Sequence, residues 1–393
     1  MHKRITCLVG SGATIEISAP STYDITKAIE QYIEEYDDKC AKVINYIKLA
    51  LGSGYNFEDI VHCLEDLLTV KANETRDISN SNEPILKLNC KFNNIECSAI
   101  RMALRLAIEE IRNKIIAHCD DFEKNYSDYI WFADFWRKLS LNNKLDIVTL
   151  NYDNCIERVI GKYTDGFTER NTSLYDDKMM VYRFIPLEFT RTHITRLMHI
   201  HGCVTFGKAS VAPINKNIFR ENFHDIYNYK KILDPNIISS DETTQAGEYI
   251  VRGSIITGHR KSEKLLVYPY EFYHFEFQKA LINNRSLLIV GYSFGDLYIN
   301  DMLLRMVEFH GNKLRIVLIT KLSKKQQLVD NITLEQSKII GRLFKKNYMD
   351  VVNEFMESND EWVTSDDNCM RIYFCGFRAA TEHKRDIFRF LNS

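Results

Sequence analysis

Four short stretches of this chain combine residue types that do chemistry. In LLIVGYSFGDLYIND (287–301), a G-x-S-x-G pattern follows an apolar run. That is the pattern of a nucleophile elbow, in which Ser293 would attack a substrate and an acid and a histidine would follow in the chain. Asp350, His310 and His383 are the residues available for those two roles. TLNYDN (149–154) puts Asn151 and Asp153 directly behind an apolar run, where either residue could touch a ligand or cap the next helix. IHGC (200–203) ends another such run with His201 before a glycine, which suits a general base open to a crevice. GSGAT (10–14) lets a backbone approach a pyrophosphate, and a helix starting there would offer free N–H groups to it. A tight structural turn would read the same way.

Some chemistries are disfavoured by what surrounds these stretches. A full dinucleotide fingerprint needs a third glycine, where this chain has Ile15, and an acid at a strand end about 20 residues on. Glu30 stands at that distance but within a helical pattern, so hydride transfer is not expected. His199 and His201 alternate by two on a strand and would share a face, yet no further ligands follow at fitting spacing, so no metal is expected there. None of the 10 cysteines forms a C-x-x-C pair, which argues against a zinc ribbon and for reduced core residues. With 51 Lys+Arg against 53 Asp+Glu, the chain lacks the basic excess of a dedicated nucleic-acid binder. MHKRITCLVG runs straight into a strand with no signal-peptide core, and no apolar run reaches the ~20 residues of a membrane helix. A cytoplasmic protein is expected.

The elements that must position these loops follow from periodicity. ITCLV (5–9), LDIVTL (145–150), MMVYRFI (179–185), RLMHIH (196–201), LLVYP (265–269), SLLIV (286–290) and LRIVLIT (314–320) are short and rich in β-branched residues, as strands are. Helical spacing separates several of them, around Phe272–Ile282 and Ile299–Val307. From Asp24 to about Leu141 the pattern is helical throughout, ending in the aromatic stretch YSDYIWFADFWRKL, whose rings read as core. The segment 237–262 reads as a long loop or lid with one short strand, and IYFCGF near 374 as an edge strand before a last helix. The expected fold is α/β: a Rossmann-like, doubly wound, mostly parallel sheet with a large helical insertion. In such a sheet, ligands bind outside the carboxyl ends of the strands where strand order reverses, so all four polar loops would face one crevice.

Taken in order, GSGAT, T-L-N-Y-D, I-H-G and V-G-Y-S-F-G-D-L-Y-I-N resemble the sirtuin-like superfamily, and most closely its bacterial anti-phage defence branch. The resemblance implies a sirtuin-like NAD-binding core from 1–22 and 144–320, a helical insertion at 23–143, and an α/β extension at 321–393 packed on the core. It further implies Asn151 and His201 as catalytic residues and NAD contacts at Gly10, Ser11, Gly12, Thr14, Asp153, Gly291, Ser293 and Asp296, with Asp296 and Asn300, at the helix start, contacts or simply caps. Protein-deacylating sirtuins carry paired C-x-x-C motifs and a Phe-Arg pair after the glycine loop; this chain has neither, reading SAPSTYD there. The implied activity is therefore NAD hydrolysis to nicotinamide and ADP-ribose, depleting NAD in an infected cell, with no zinc expected. Implied partners are further copies of the chain or a HerA-like ATPase ring. A serine hydrolase built on Ser293 and a non-catalytic NAD- or ADP-ribose-binding scaffold are the two alternatives.

Overall fold

The computed structural model describes residues 4–73, 96–168, 181–190, 194–210, 229–232, 249–252, 256–257, 268–321, 334–357 and 361–393. Its strands are β1 (Arg4–Val9), β2 (Lys144–Thr149), β3 (Tyr163–Thr164), β4 (Phe167–Thr168), β5 (Val181–Phe184), β6 (Thr195–His199), β7 (Phe206–Ser210), β8 (Tyr229–Ile232), β9 (Tyr249–Arg252), β10 (Ser286–Val290), β11 (Arg315–Ile319), β12 (Trp362–Thr364) and β13 (Met370–Tyr373). Its helices are α1 (Gly12–Ile15), α2 (Thr22–Tyr36), α3 (Asp38–Leu51), α4 (Phe57–Asn73), α5 (Cys97–Lys124), α6 (Ile130–Asn142), α7 (Cys155–Val159), α8 (Tyr270–Asn283), α9 (Leu297–His310), α10 (Leu334–Phe344), α11 (Tyr348–Glu357), α12 (Phe377–Ala380) and α13 (Lys384–Asn392).

Eight strands form one sheet in the order β12-β13-β11-β10-β1-β2-β6-β3, every adjacent pair parallel except β12 with β13. The fold is thus α/β with a mostly parallel sheet. From β1 the chain winds outward through β2 and β6 on one side, then returns to β10 and winds outward through β11 and β13 on the other. The reversal lies between β1 and β10. Both faces are covered: Cys7 and Val9 point into one core, while the intervening Thr6 and Leu8 are equally buried on the other face. The first core contains Phe132, Phe135 and Trp136 of α6, Phe377 of α12 and Phe390 of α13. Burial of each such ring contributes about 2–3 kcal/mol. On the second face α8 packs over β2 and β6.

A buried ionic knot fixes the amino end of this sheet. Asp146 of β2 pairs with Arg4 of β1, accepts from Arg196 Nε of β6 at 2.6 Å, and accepts from Asn284 Nδ2 at 2.8 Å. Arg196 in turn reaches Glu276 of α8 at 2.5 Å. Burial opposes the Arg196 charge, but the Asp146 hydrogen bond and the two carboxylates outweigh it and raise its pKa. Register at the opposite, carboxyl end is thereby held from below.

MMVYRFI, read as part of the parallel sheet, supplies β5 of a separate five-stranded antiparallel sheet, β4-β5-β8-β7-β9; residues 179 and 180 lie outside the described residues. Within 237–262 only β9 and residues 256–257 are described. In LLVYP only Tyr268 and Pro269 are described, and neither is in a strand. IYFCGF contributes β13, which lies one strand in from the edge strand β12.

The chain divides into two compact units: Met1–Ala19, Asp121–Ser254 and Leu265–Ser393 in one, Pro20–Asp120 and Ile255–Lys264 in the other. In the second, Ser21 and Asp24 form a reciprocal cap at the start of α2, and Asp37 caps α3 through Cys40 N–H at 2.6 Å. Glu30, at the distance where a dinucleotide site would carry its acid, is spent within this unit: it pairs with Lys27 at 2.8 Å and accepts from the Tyr55 hydroxyl at 2.5 Å. No helix of the described residues is long and apolar enough to cross a membrane.

Candidate active site

The four polar loops leave adjacent strands at matched heights. Val9 is paired with Val290 on one side and with Thr149 on the other, and Thr149 is paired with His199. Gly10, Gly291, Asn151 and His201 therefore follow within two residues of these paired positions, at the carboxyl end of four neighbouring strands and around the point where strand order reverses.

Two of the loops interlock through their glycines. Gly10 N–H donates to Val290 O and Gly12 N–H to Gly291 O, both at 2.9 Å. Gly291 has φ +62°, and a Cβ on it would fall 2.1 Å from Ala13 N and 2.3 Å from Gly12 C. A Cβ on Gly10 would fall 2.6 Å from Gly291 O. These glycines serve the contact between GSG and GYS, a reason that neither motif states alone. The interlock also consumes donors. Ala13 N–H donates to Gly10 O and Thr14 N–H to Ser11 O, each at 3.0 Å, so most amides of the turn are engaged inside the protein. The Ser11 amide, at the exposed tip, is the donor the turn can offer an anion.

Asn151 is tied to the same turn. Its Nδ2 donates to Gly10 O and to Thr14 Oγ1, both at 3.2 Å, and its backbone N–H donates to Thr149 Oγ1 at 3.1 Å. Asp153 accepts from Cys155 N–H at 3.0 Å, an Asx turn that leads into α7. The NYDN and HGC loops are joined by Val204 N–H donating to Tyr152 O at 2.9 Å.

His201 is buried, and its Nε2 lies 3.4 Å from Asp296 Oδ2. The other Asp296 oxygen, Oδ1, accepts from the N–H groups of Tyr298 and Ile299 at 3.0 and 3.2 Å, capping α9. One carboxylate thus starts a helix and orients an imidazole. Asn300, in the first turn of α9, is buried against this loop: its Nδ2 donates to Phe294 O at 2.8 Å, and its Oδ1 accepts from the Tyr292 hydroxyl at 2.9 Å. It holds the loop's shape.

Ser293 is exposed on this loop, and the backbone strain of an elbow falls beside it, on Phe294 at φ +58°. Among the described residues no histidine is hydrogen-bonded to it. His310 Nε2 lies 2.9 Å from Leu281 O, and His383 Nε2 lies 2.9 Å from Glu361 Oε2. A Ser–His–acid triad is not assembled among the described residues.

Two further groups escaped the sequence reading. His274 of α8 is buried beside His201 and Asp296; burial, reinforced by His201 and opposed by Asp296, lowers its pKa to about 3. It falls in the helical pattern around Phe272–Ile282, where nothing in the sequence singles it out. The second group surrounds His199. The expectation that His199 and His201 share a face fails because β6 stops at His199 and Ile200–His201 form a turn. His199 Nε2 instead lies 3.5 Å from Glu157 Oε1, and Glu157 and Asp165 both pair with Lys231. Burial works to raise the Glu157 pKa, but the Lys231 charge and His199 overcome it and bring it to about 2.

In open α/β sheets the loops at the strand-order reversal are where ligands bind, and the four polar loops gather there. Residues 146–340 match the SIR2-like domain family, and a match to that family suggests an NAD-using activity. A solved structure described as "The Structural basis of Sirtuin Substrate Affinity" is similar at 11% identity and a TM-score of 0.32, with 85% of this chain and 87% of that chain covered. No curated protein matches the chain.

Proposed function

We propose that the chain is an NAD glycohydrolase that cleaves NAD to nicotinamide and ADP-ribose, acting as an anti-phage effector that depletes NAD in the infected cell. The observation that supports this most directly is the gathering of the Asn151 amide, the Gly10–Thr14 turn and the His201–Asp296 pair at one end of adjacent strands. The residues fit the chemistry. Nicotinamide leaves as a neutral molecule from a cationic nitrogen, so a strong general acid is unnecessary. The reaction needs positioning, shelter from bulk water and stabilisation of an oxocarbenium-like ribose.

In this reading Asn151 is oriented by Gly10 O and Thr14 Oγ1 and holds the ribose hydroxyls and a water through its amide. The water oxygen bonds to C1′ as the bond to the nicotinamide nitrogen breaks, and that bond's electron pair stays on the nitrogen. His201, facing Asp296, takes the proton the water gives up. The Ser11 amide and the Ser293 hydroxyl, exposed on the interlocked loops, reach the diphosphate and the adenosine side. The chain works as a homo-oligomer or beside a HerA-like ATPase ring, which restrains the activity until infection.

The test is incubation with NAD and separation of products, wild type beside Asn151→Ala and His201→Ala. Nicotinamide and ADP-ribose should appear in equal amounts and fall at least about 100-fold in each variant. Hydrolysis at the wild-type rate in both variants overturns the proposal.

A further inference from the structure

We infer that Glu157, His199 and Cys203 form a binding site for a zinc-class divalent metal ion behind the HGC turn. Glu157 lies on α7, His199 ends β6 and Cys203 follows the turn, and one ligand atom from each lies within 4.8 Å of the other two. A tetrahedral zinc centre has ligand–ligand edges of about 3.5 Å, so modest side-chain rotations would close the set. Sulfur, imidazole and carboxylate together suit zinc and cobalt(II) and disfavour magnesium or calcium.

Two further observations point into this space. His199 is 1% exposed, and neither of its ring nitrogens has a hydrogen-bond partner among the described residues. A buried imidazole with no short hydrogen bond is costly, and a metal bond would satisfy the nitrogen whose one ionic contact is the 3.5 Å approach to Glu157. The second observation is charge. Glu157 and Asp165 carry two negative charges against one positive charge on Lys231, all three of them buried side chains. A divalent ion bound with the Cys203 thiolate adds two positive charges and one negative, which neutralises the group while His199 stays uncharged. The thiol proton leaves to solvent. Lys231 keeps its pairing with Asp165, and water takes the fourth metal position.

Such an ion would tie α7 to the segment that carries His201. The site does not depend on what that histidine does, so its test reads metal directly. The full chain, purified without chelator and with an untagged terminus, should retain one equivalent of zinc by mass spectrometry. After chelation and exchange into cobalt(II) it should show the thiolate-to-cobalt charge-transfer band and the d–d bands of a tetrahedral centre. Cys203→Ser and His199→Ala should lose the bound equivalent and the band; Cys97→Ser should keep both. Because those buried replacements could disturb folding, Glu157→Gln, nearly identical in shape, provides a second variant, expected to weaken cobalt retention while the circular dichroism spectrum is unchanged. Wild-type protein that neither retains zinc nor takes up cobalt overturns the assignment, as does a charge-transfer band that survives in folded Cys203→Ser.

Discussion

Replacing Gly291 with alanine would place a methyl group against the backbone of a different loop. The new Cβ would lie 2.1 Å from Ala13 N, 2.3 Å from Gly12 C and 2.6 Å from Gly12 Cα, and no rotamer change relieves a clash with backbone. Two costs combine. A residue with a Cβ at φ +62° loses roughly 1–2 kcal/mol, and forcing a tightly packed contact apart adds roughly 1–3 kcal/mol. Gly311 separates them, because it has φ +54° with nothing within 4 Å of its missing Cβ, so Gly311→Ala carries only the first cost. Gly291→Ala should therefore melt roughly 1–6 °C below Gly311→Ala, on a scale of about 1–2 °C per kcal/mol for a chain of this size. It should also lose NAD turnover at temperatures where circular dichroism shows it folded, because Asn151 Nδ2 rests on the Gly10 carbonyl that the clash displaces. Thermal midpoints for the two variants that coincide, or a folded Gly291→Ala with wild-type turnover, would refute the claim that the two glycine loops form one locked unit.

Asp296→Asn keeps an oxygen to cap α9 but removes the charge facing His201; turnover should fall at least about tenfold while stability to urea changes by less than about 1 kcal/mol, and unchanged turnover would show that His201 works without this partner. His274 is predicted to make the protein acid-sensitive. Its pKa is lowered to about 3 by burial and by His201, so between its ordinary value near 6.5 and about 3 the unfolded chain binds a proton that the folded chain refuses. Stability should then decline as pH falls through that window, by about 2 kcal/mol between about pH 6.5 and 4.5, and urea midpoints of His274→Leu should show a correspondingly flatter dependence.

The parallel sheet and its polar loops were legible because each rests on local signals: a short β-branched run, then glycine or a small polar residue. Asp296 was legible as a cap or ligand contact, since an acid before L-Y-I-N opens a helix, but its hold on His201 joins loops 95 positions apart and leaves no periodic trace. The antiparallel sheet was missed for a similar reason. MMVYRFI announces a strand without naming its neighbour, and β5 pairs with β8, whose YKKI reads as polar. His199 and His201 would share a face only on a strand running through both residues. With β6 ending at His199, two residues short of His201, the two imidazoles go to different carboxylates, Glu157 and Asp296.

The G-x-S-x-G stretch shows how one pattern can arise from two physical demands. In an elbow the strained residue is the nucleophile itself, because the sharp turn exists to present it. Here the positive φ values fall on Gly291 and Phe294, on either side of Tyr292 and Ser293. Gly291 is required by the approach of Gly12 and Ala13, not by the serine. Tyr292 points inward to Asn300 Oδ1 and the Asp296 carbonyl, while Ser293 is left outside with its hydroxyl free to rotate. A nucleophilic serine needs a base held against it; a serine that lends a hydroxyl to a ligand needs only exposure beside the crevice. The loop provides the second condition, and its one acidic side chain is turned to the imidazole of His201 and the start of α9. The charged chemistry of this loop is therefore directed at His201, the residue to which the proposed reaction gives its proton.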